Sequence, residues 1–285
     1  MTAAGAQPSH KAWHGHLALR YRRDEQGRCV AQDAHSGPLR VLKALYPEGP
    51  AVCHHVLVHP PGGVAGGDEL EIDLLAAAGS HALVTTPGAT RFYRSDGAPA
   101  AQRARLHVQA GARLEWLPLE AIAFPGCEAS NAVELRIERG GEAIGWDLLA
   151  LGLPATGAPF AQGRFVQQLS WPGVWLERGT LDALDRRLLD GPLGLAGRRV
   201  LACAWCAAGA PFEAARRESL LEAARAVAVD ASVTCGATSP EPRLVLWRAL
   251  GERVEPVFNA LVALRAAWRG AAWSLAAPLP RVWRT

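Results

Sequence analysis

The chain has 285 residues, of which 49% are hydrophobic and 20% are charged, and this composition excludes an intrinsically disordered protein. Its 30 basic and 27 acidic residues leave a net charge of +3, too small to indicate a nucleic-acid-binding protein. Six cysteines are scattered along the chain, which favours reduced thiols over a disulfide framework. No signal peptide and no apolar run of about 18 residues is visible, so we expect a cytoplasmic protein without a membrane span.

Short segments that alternate apolar and polar residues fill the first two thirds of the chain, between frequent glycines and prolines. Alternation with a period of two is typical of strands with one buried face. The predicted strands are 17–23, 39–46, 52–58, 70–76, 81–86, 103–109, 112–117, 132–138, 143–150, 163–170 and 174–183. Because no helical segment interrupts this series, the pattern favours antiparallel or solenoidal β structure over a doubly wound α/β sheet.

Two helices are predicted in the last third of the chain. Residues 212–229 are rich in good helix formers and follow Pro211, a residue that the first turn of a helix tolerates. Residues 254–269 carry an apolar stripe at helical spacing, made of Val257, Leu261, Leu264 and Trp268. No repeat or low-complexity linker divides the sequence, so we predict a single, mainly β domain over residues 1–285.

The densest motif is the segment His59-Pro-Pro-Gly-Gly-Val-Ala-Gly-Gly-Asp68, which has four glycines within six positions. Such spacing indicates backbone that approaches a neighbour closely or turns with a positive φ. Gly62 and Gly67 have the spacing of a phosphate-binding loop, but Asp68 stands where that loop needs lysine. A carboxylate there repels a nucleotide, so phosphate binding is not expected. Because Asp68 ends the glycine loop, we expect it to be held by backbone N–H groups or to face a cavity.

Cysteine and histidine residues just before this motif resemble a metal site at first sight. In extended strand geometry, Cys53, His55 and His59 would share one face. About 13 Å of rise separates His55 from His59, and one ion with ligands near 2 Å cannot span that distance. A preformed chelate is therefore not expected here unless a partner chain supplies ligands.

Two further clusters are predicted to be structural. Glu69, Glu71 and Asp73 share one strand face, which we expect to be solvated. Cys203 and Cys206 form a lone C-x-x-C in a strand-like setting, where the two thiols point to opposite faces and no second pair is present. No tight metal site is therefore expected. No motif seats a nucleophile beside a base either, so the chain reads poorly as an enzyme.

The motifs together resemble the urease accessory protein UreD family, also called UreH. The most specific are the glycine motif and Thr85-Thr-Pro-Gly-Ala-Thr-Arg-Phe-Tyr-Arg-Ser95, which occur in the family's order and spacing. Segments 115–120, 146–147 and 175–178 and the C-terminal end extend the resemblance over nearly the whole chain. The family-motif residues are His59, Pro60, Gly62, Gly63, Gly66, Gly67, Thr86, Pro87, Gly88 and Arg94.

The resemblance implies a β-helical stack of short strands with about two α-helices in the C-terminal third, and no catalytic activity. It implies binding to the accessory protein UreF, which recruits the GTPase UreG, in a complex that docks on apo-urease. That complex inserts nickel at the dinuclear active site of urease. The family's route for the ion is an internal polar tunnel, so the resemblance implies nickel in transit and no tightly bound cofactor.

Three residues match family positions linked to that route, namely Asp68, Asp147 and Glu177. A divalent ion in transit needs oxygen ligands that hold it weakly, because a closed cage of histidine and cysteine would retain it. Isolated carboxylates along a polar passage lower the electrostatic barrier without forming a sink. Alternatively, these acids neutralise buried arginines, and the sequence leaves both possibilities open.

Two other functions compete with this one. A metal-dependent hydrolase could use the N-terminal histidines His10, His14 and His16 with the acidic residues of 68–73. A nickel-storage protein would need a histidine- or cysteine-rich tract denser than any in this chain. Metal analysis of the purified monomer separates nickel transit from both, because only the hydrolase and the storage protein hold metal tightly, and turnover of an ester would mark the hydrolase.

The C-terminal end of the chain is predicted to form a basic docking surface. Seven arginines but only two glutamates follow residue 242, and a basic surface steers association with an acidic partner. Arg281 and Arg284 are the docking candidates. The apolar composition and near-neutral charge also predict aggregation of the chain alone and solubility with a UreF-type partner.

Overall fold

The computed structural model describes residues 12–153 and 156–284, which form strands, three α-helices and a C-terminal 3-10 helix at Arg281–Arg284. The strands are β1 (His14–Arg23), β2 (Cys29–Ser36), β3 (Arg40–Val41), β4 (Cys53–Val58), β5 (Glu69–Ala76), β6 (His81–Thr85), β7 (Thr90–Phe92), β8 (Ala100–Val108), β9 (Arg113–Leu117), β10 (Ala121–Ala123), β11 (Cys127–Ile137), β12 (Glu142–Leu153), β13 (Ala158–Pro159), β14 (Gly163–Trp171), β15 (Trp175–Asp182), β16 (Val200–Ala208), β17 (Thr234–Glu241) and β18 (Leu244–Gly251). The helices are α1 (Arg186–Asp190), α2 (Ala214–Arg225) and α3 (Val254–Trp273).

The strands form a β-solenoid of about four turns, because the chain passes alternately between two facing sheets. One sheet has seven strands in the order β15-β14-β11-β8-β5-β1-β2. The other sheet has eleven strands, eight of them in the order β17-β18-β16-β12-β9-β6-β4-β3, while β7, β10 and β13 pair beside this path. Strands β5, β8, β11 and β14 pair in parallel, and so do β4, β6, β9 and β12. The predicted mainly β, β-helical architecture is confirmed.

Stacked glycines build one corner of the solenoid. Gly79, Gly111 and Gly140 occupy successive turns with φ of +70°, +69° and +86°. The N–H of Gly111 donates to the carbonyl of Gly140 at 3.0 Å, and the N–H of Gly79 donates to the carbonyl of Ala110 at 3.3 Å. Glycine adopts this left-handed conformation without steric strain. The recurring glycines of the sequence therefore allow each turn to stack directly on the next.

Alternation along the strands sends one face of each solenoid sheet into a core between the sheets. In β5, Leu70 and Ile72 are buried, whereas Glu71 and Asp73 lie on the outer face. Arg105 donates to both of these carboxylates, at 3.0 Å to Glu71 and 3.1 Å to Asp73. The predicted solvated acidic face of this strand is therefore confirmed.

Helices α2 and α3 cover the outer face of the eleven-stranded sheet and close a second core. The predicted stripe of α3 is confirmed, since its four members are at most 1% exposed: Val257, Leu261, Leu264 and Trp268. Cys203 and Cys206 lie in the two different cores, on opposite faces of β16, as their spacing predicts. None of the helices within the described residues is long and apolar enough to cross a membrane.

Two arginines anchor α3 to the sheet beneath it. Arg265 and Arg269 are at most 1% exposed, and both donate to the fully buried carboxylate of Glu115 on β9, at 2.6 and 2.5 Å. The ring of His81 lies 3.1 Å from the same carboxylate, and Arg269 also pairs with Glu48. Glu115 therefore lies at the centre of a buried charged network that joins the helix to the solenoid.

The prediction of a basic surface at the C-terminal end is wrong for four of the seven arginines on which it rested. Each of the four is paired with a carboxylate: Arg243, Arg248, Arg265 and Arg269. Counting charges after residue 242 missed the upstream acids that the fold brings to them. Glu115, for example, is 150 residues before Arg265 in the chain.

Some predicted boundaries differ from the structure for local reasons. The segment 39–46 was expected to be one strand, but only Arg40–Val41 pairs, and Leu45 forms a single bridge to His54. Helix α2 begins at Ala214, so Pro211 precedes the helix instead of lying in its first turn. The outermost strand β2 was not predicted, because most of its residues are exposed and its hydrophobic alternation is weak.

Candidate functional site

The glycine motif forms a loop between β4 and β5 that Asp68 holds in place. Asp68 is 1% exposed, and its carboxylate accepts the N–H of Trp13 through Oδ1 and the N–H of Ala65 through Oδ2, both at 2.8 Å. A Cβ at Gly63 would lie 2.1 Å from the ring of Tyr93, so a side chain there would displace that ring. The prediction that backbone N–H groups hold Asp68 is confirmed.

Asp68→Asn is expected to lower the free energy of unfolding by about 1–3 kcal/mol, because the new amide NH₂ would face a backbone N–H that loses its acceptor. Denaturant unfolding and proteolysis of the loop would measure this loss. Asp96→Asn is the matched control, since Asp96 lies exposed in a neighbouring loop. Equal stability of the two variants would show that the two backbone contacts of Asp68 do not matter.

A cavity of about 250 Å³ opens beside this loop, and the two family motifs meet in its wall. Its lining includes His59, Gly62, Gly63, Thr86, Pro87 and Gly88. The Nε2 atom of His59 is buried and has no hydrogen-bond partner among the described residues. Burial lowers the pKa of His59, against a smaller opposing effect of Asp68, so the ring is neutral and keeps a lone pair for a ligand.

The remaining family-motif residues lie around this cavity and not in its wall. Gly66 packs against the carbonyl of Ala98, where a Cβ would lie 2.8 Å away, and Gly67 has a φ of +88°. Pro60 and Arg94 are exposed. These four residues therefore shape or flank the loop.

A row of four polar side chains runs from this cavity through the core between the sheets. Gln102 lines the cavity, and its Nε2 donates to Oδ1 of Asn131 at 3.2 Å. Asn131 Nδ2 donates to Oδ2 of Asp147 at 2.7 Å, and Gln167 Nε2 donates to Oδ1 of Asp147 at 2.5 Å. Gln167 lines a second cavity, of about 330 Å³. We call these four residues the polar row, and it links the two cavities.

The sheet register explains how the amides of the polar row come together. Gln102, Asn131 and Gln167 occupy directly paired positions on the adjacent parallel strands β8, β11 and β14. Side chains at paired positions project to the same face of a sheet. Asp147 meets this amide ladder from β12 in the facing sheet.

Asp147 is a buried carboxylate that accepts hydrogen bonds from the neutral amides of Asn131 and Gln167. It is 4% exposed, and no ion pair reaches it among the described residues. Burial raises its pKa to about 6, although the hydrogen bonds from Gln167 and Asn131 oppose that rise. Glu115, by contrast, is neutralised by two arginines. A charged group kept in a core at a cost to stability marks a candidate functional site.

The second cavity is lined by Gln167, Glu177, Leu201, Thr234, Cys235 and Arg248, among others. The carboxylate of Glu177 accepts hydrogen bonds from Nε and Nη2 of Arg248. Glu177 therefore neutralises an arginine. Neutralisation of an arginine was the alternative to a role in an ion path that the sequence left open for this residue. Both side chains are partly exposed, at 35% and 46%, so the pair lies at the mouth of the cavity.

The structure places two of the three residues that the sequence suggested for a nickel path in or beside the polar row. Asp147 lies in the middle of the polar row, and Glu177 lies in the cavity at one end of it. Asp68 lies outside the row, behind the glycine loop. The amides Gln102 and Asn131 were missed, since the predicted strands 103–109 and 132–138 start one residue after them. The sequence signal that could have identified them is a polar residue at a position where the alternation of the strand predicts a side chain that faces the core.

The other predicted residues lie apart from the polar row. His14 and His16 are on the outer face of the solenoid, where each lies near a carboxylate of β5, at 3.8 and 2.8 Å. His10 is outside the described residues. Within the described part of the chain, no three side chains of histidine, cysteine, aspartate or glutamate converge on a possible metal position. Arg281 is exposed in the 3-10 helix, and the side chain of Arg284 is outside the described part.

Comparison with known proteins places this arrangement in a family. The family model described as UreD urease accessory protein matches residues 14–284. The chain belongs to the UreD family. The urease accessory protein UreD of Leptothrix cholodnii is 55% identical over 277 residues, which cover 96% of this chain and 100% of that protein. The UreD of Variovorax paradoxus is 53% identical with the same coverage, and that of Paracidovorax citrulli is 55% identical over 274 residues, covering 95% and 99%.

Membership of the UreD family confirms the resemblance that the two glycine- and threonine-containing motifs indicated. The match includes both cavities and the polar row, because all of their described residues lie within 14–284. The general role of the chain is therefore that of a urease accessory protein, which supports urease maturation.

Proposed function

We propose that this UreD-family chain is a non-catalytic, cytoplasmic scaffold that passes nickel along the polar row during urease maturation. The observation that carries the proposal is the hydrogen-bonded series Gln102–Asn131–Asp147–Gln167, which joins two cavities through a largely apolar core. Nickel is the cargo of this passage and is not a resident cofactor.

The chemistry of the polar row suits transit. Amide and carboxylate oxygens bind a borderline divalent ion weakly, whereas histidine and thiolate cages hold it. One carboxylate halfway along lowers the barrier for a cation without retaining it. Asp147 supplies that single charge, and at neutral pH it is largely ionised because its pKa is about 6.

The residues in the cavities at the two ends of the polar row are suited to the entry and release of a nickel ion. At the first cavity, the neutral ring of His59 has a buried nitrogen without a partner, which supports a passing contact with a metal ion. At the second cavity, Glu177 supplies the terminal carboxylate. We propose that Asp68 acts indirectly, by fixing the loop that forms one wall of the first cavity.

The proposed partners are UreF, UreG recruited through UreF, and the urease apoprotein. Strongly exposed leucines are candidates for contact with such a partner. Leu176, next to Glu177, is 65% exposed, and Leu184 and Leu193 are more exposed still. Arg281 and Arg284 remain proposed docking residues at the C-terminal end.

The metal-dependent hydrolase has less support. Its histidines His14 and His16 lie near different carboxylates, Glu69 and Asp73, on the outer face of the solenoid. They therefore do not form one shared ligand set with those acids. The polar row, in contrast, is internal and connects two cavities.

Co-expression tests the scaffold proposal. The chain alone is expected to aggregate, and with UreF it is expected to form a soluble complex that retains UreG and urease on an affinity column. Arg281→Glu is expected to weaken retention, especially at low salt, because it reverses a surface charge. Arg139→Glu is the control, since Arg139 is also exposed, at a corner of the solenoid. A monodisperse chain that binds neither UreF nor urease would contradict the proposal.

A further inference from the structure

An arginine holds Glu177 at the mouth of the second cavity. Arg248 Nε lies 3.1 Å from Oε1 and 3.0 Å from Oε2 of Glu177, and Arg248 Nη2 lies 2.5 Å from Oε2. Glu177 belongs to β15, at the edge of the seven-stranded sheet, whereas Arg248 belongs to β18 of the other sheet. The ion pair therefore joins the two sheets across the mouth.

The register of the larger sheet leads from this arginine back to the polar row. Asp147, Cys203 and Arg248 occupy directly paired positions on β12, β16 and β18. Side chains at such positions share one face of the sheet, and here that face is the core between the sheets, where Cys203 is 5% exposed. Burial raises the pKa of the Cys203 thiol, and Glu177, Arg248 and Asp147 also act on it, so the thiol lies among these charges.

We propose that Arg248 controls the access of cations to the polar row at this mouth. The inference rests on the proposed function and adds the residue that regulates it. The guanidinium neutralises Glu177 and presents a fixed positive charge to an approaching divalent ion, which it repels. The guanidinium must leave Glu177 before a cation can use that carboxylate. Arg248 is thus a positioning residue that acts through Glu177.

The thiol of Cys203 allows a direct test, because it lies behind the arginine. In a Cys235→Ser background, which removes the exposed thiol of the same cavity, Cys203 is treated with a cationic and with a neutral methanethiosulfonate reagent. Peptide mass spectrometry gives the two rates of modification. Arg248→Gln is expected to raise the ratio of the cationic rate to the neutral rate about tenfold, since it removes one positive charge beside the path. Arg248→Lys is expected to keep the ratio near that of the wild type.

Arg243→Gln is the matched control, because Arg243 pairs with Glu241 at 2.9 Å on the same β17–β18 hairpin but does not line the cavity. It is expected to leave the ratio unchanged. An unchanged ratio in Arg248→Gln, no modification of Cys203 in that variant, or equal acceleration of both reagents would overturn the proposal. The assay contains no nickel, so it is independent of the proposed function. That function fails separately if Glu177→Gln leaves the nickel content of urease unchanged at limiting nickel.

Discussion

Glu115→Gln is expected to lower the free energy of unfolding by about 3–5 kcal/mol, because it leaves two buried guanidinium groups without their shared counter-charge. The loss is large because Arg265, Arg269 and Glu115 are all at most 1% exposed, so water cannot replace the lost contacts. Nη2 of Arg265 and Nε of Arg269 already have no hydrogen-bond partner in the described structure. The surroundings therefore offer few other acceptors that could replace the lost carboxylate.

The same network predicts a dependence of stability on pH. Burial alone raises the pKa of Glu115, but His81, Arg265 and Arg269 outweigh burial and lower that pKa to about 2. Since this value is below the ordinary 4.5, the stabilisation is complete above pH 4.5 and is lost as the pH falls towards 2. The full contribution corresponds to about 3 kcal/mol.

Urea unfolding of a solubility-tagged full chain, as the wild type and as Glu115→Gln, at pH 7 and at pH 3 would measure both effects. The difference between the two chains is expected to be smaller at pH 3, and it excludes the titration of other groups such as Asp147. Glu134→Gln is the control, because Glu134 pairs with Arg136 on the surface and such pairs contribute at most about 1 kcal/mol. If the two variants lose equal stability, the network does not anchor α3. A stability difference between the wild type and Glu115→Gln that is the same at the two pH values would contradict the pKa assignment.

The sequence predicted those parts of the fold that depend on local patterns. The alternation of β5 and the stripe of α3 each reflect a face that meets an apolar core, and both were found where predicted. Family motifs indicated Asp147 and Glu177, although the sequence could not show what surrounds them. The loop of Asp68 was limited to two arrangements, and backbone N–H groups proved to hold it.

The remaining features depend on contacts between distant parts of the chain. The partner of Arg269 on β9 is 154 residues away, so a local count of charges assigned this arginine to the surface. Gln102 and Asn131 each looked like an ordinary polar residue at the start of a strand. Only the parallel register of β8 and β11 places them side by side. The stacking of solenoid turns brings such residues together, and their spacing along the sequence does not show this proximity.

Asp147→Asn is expected to prevent nickel insertion while leaving the fold at least as stable as the wild type. The pKa of Asp147, about 6, is above its ordinary 3.8, so the folded state favours the protonated carboxyl. The ionised form therefore costs stability as the pH rises from 3.8 through 6, by up to about 3 kcal/mol. Asparagine removes this cost, and the amide of Gln167 can turn its oxygen towards the new NH₂. A purely structural residue would show the opposite pattern.

The loss of function is expected to be large because the polar row contains a single charge. Removing it from a passage that is less screened than bulk water lowers the occupancy of a divalent ion at least about tenfold. Asp73→Asn is the control, since Asp73 lies on the outer face of the solenoid and pairs with Arg105. Retention of UreF, UreG and urease by both variants would show that assembly is intact.

The nickel content of urease, purified from cells grown at limiting nickel and expressed per active site, tests nickel passage through the polar row most directly. We predict that urease matured with Asp147→Asn contains less than about a tenth of the nickel found with the wild type or with Asp73→Asn, and that excess nickel narrows this difference. Full nickel occupancy with Asp147→Asn under limiting nickel, in an intact complex, would contradict a passage through the polar row.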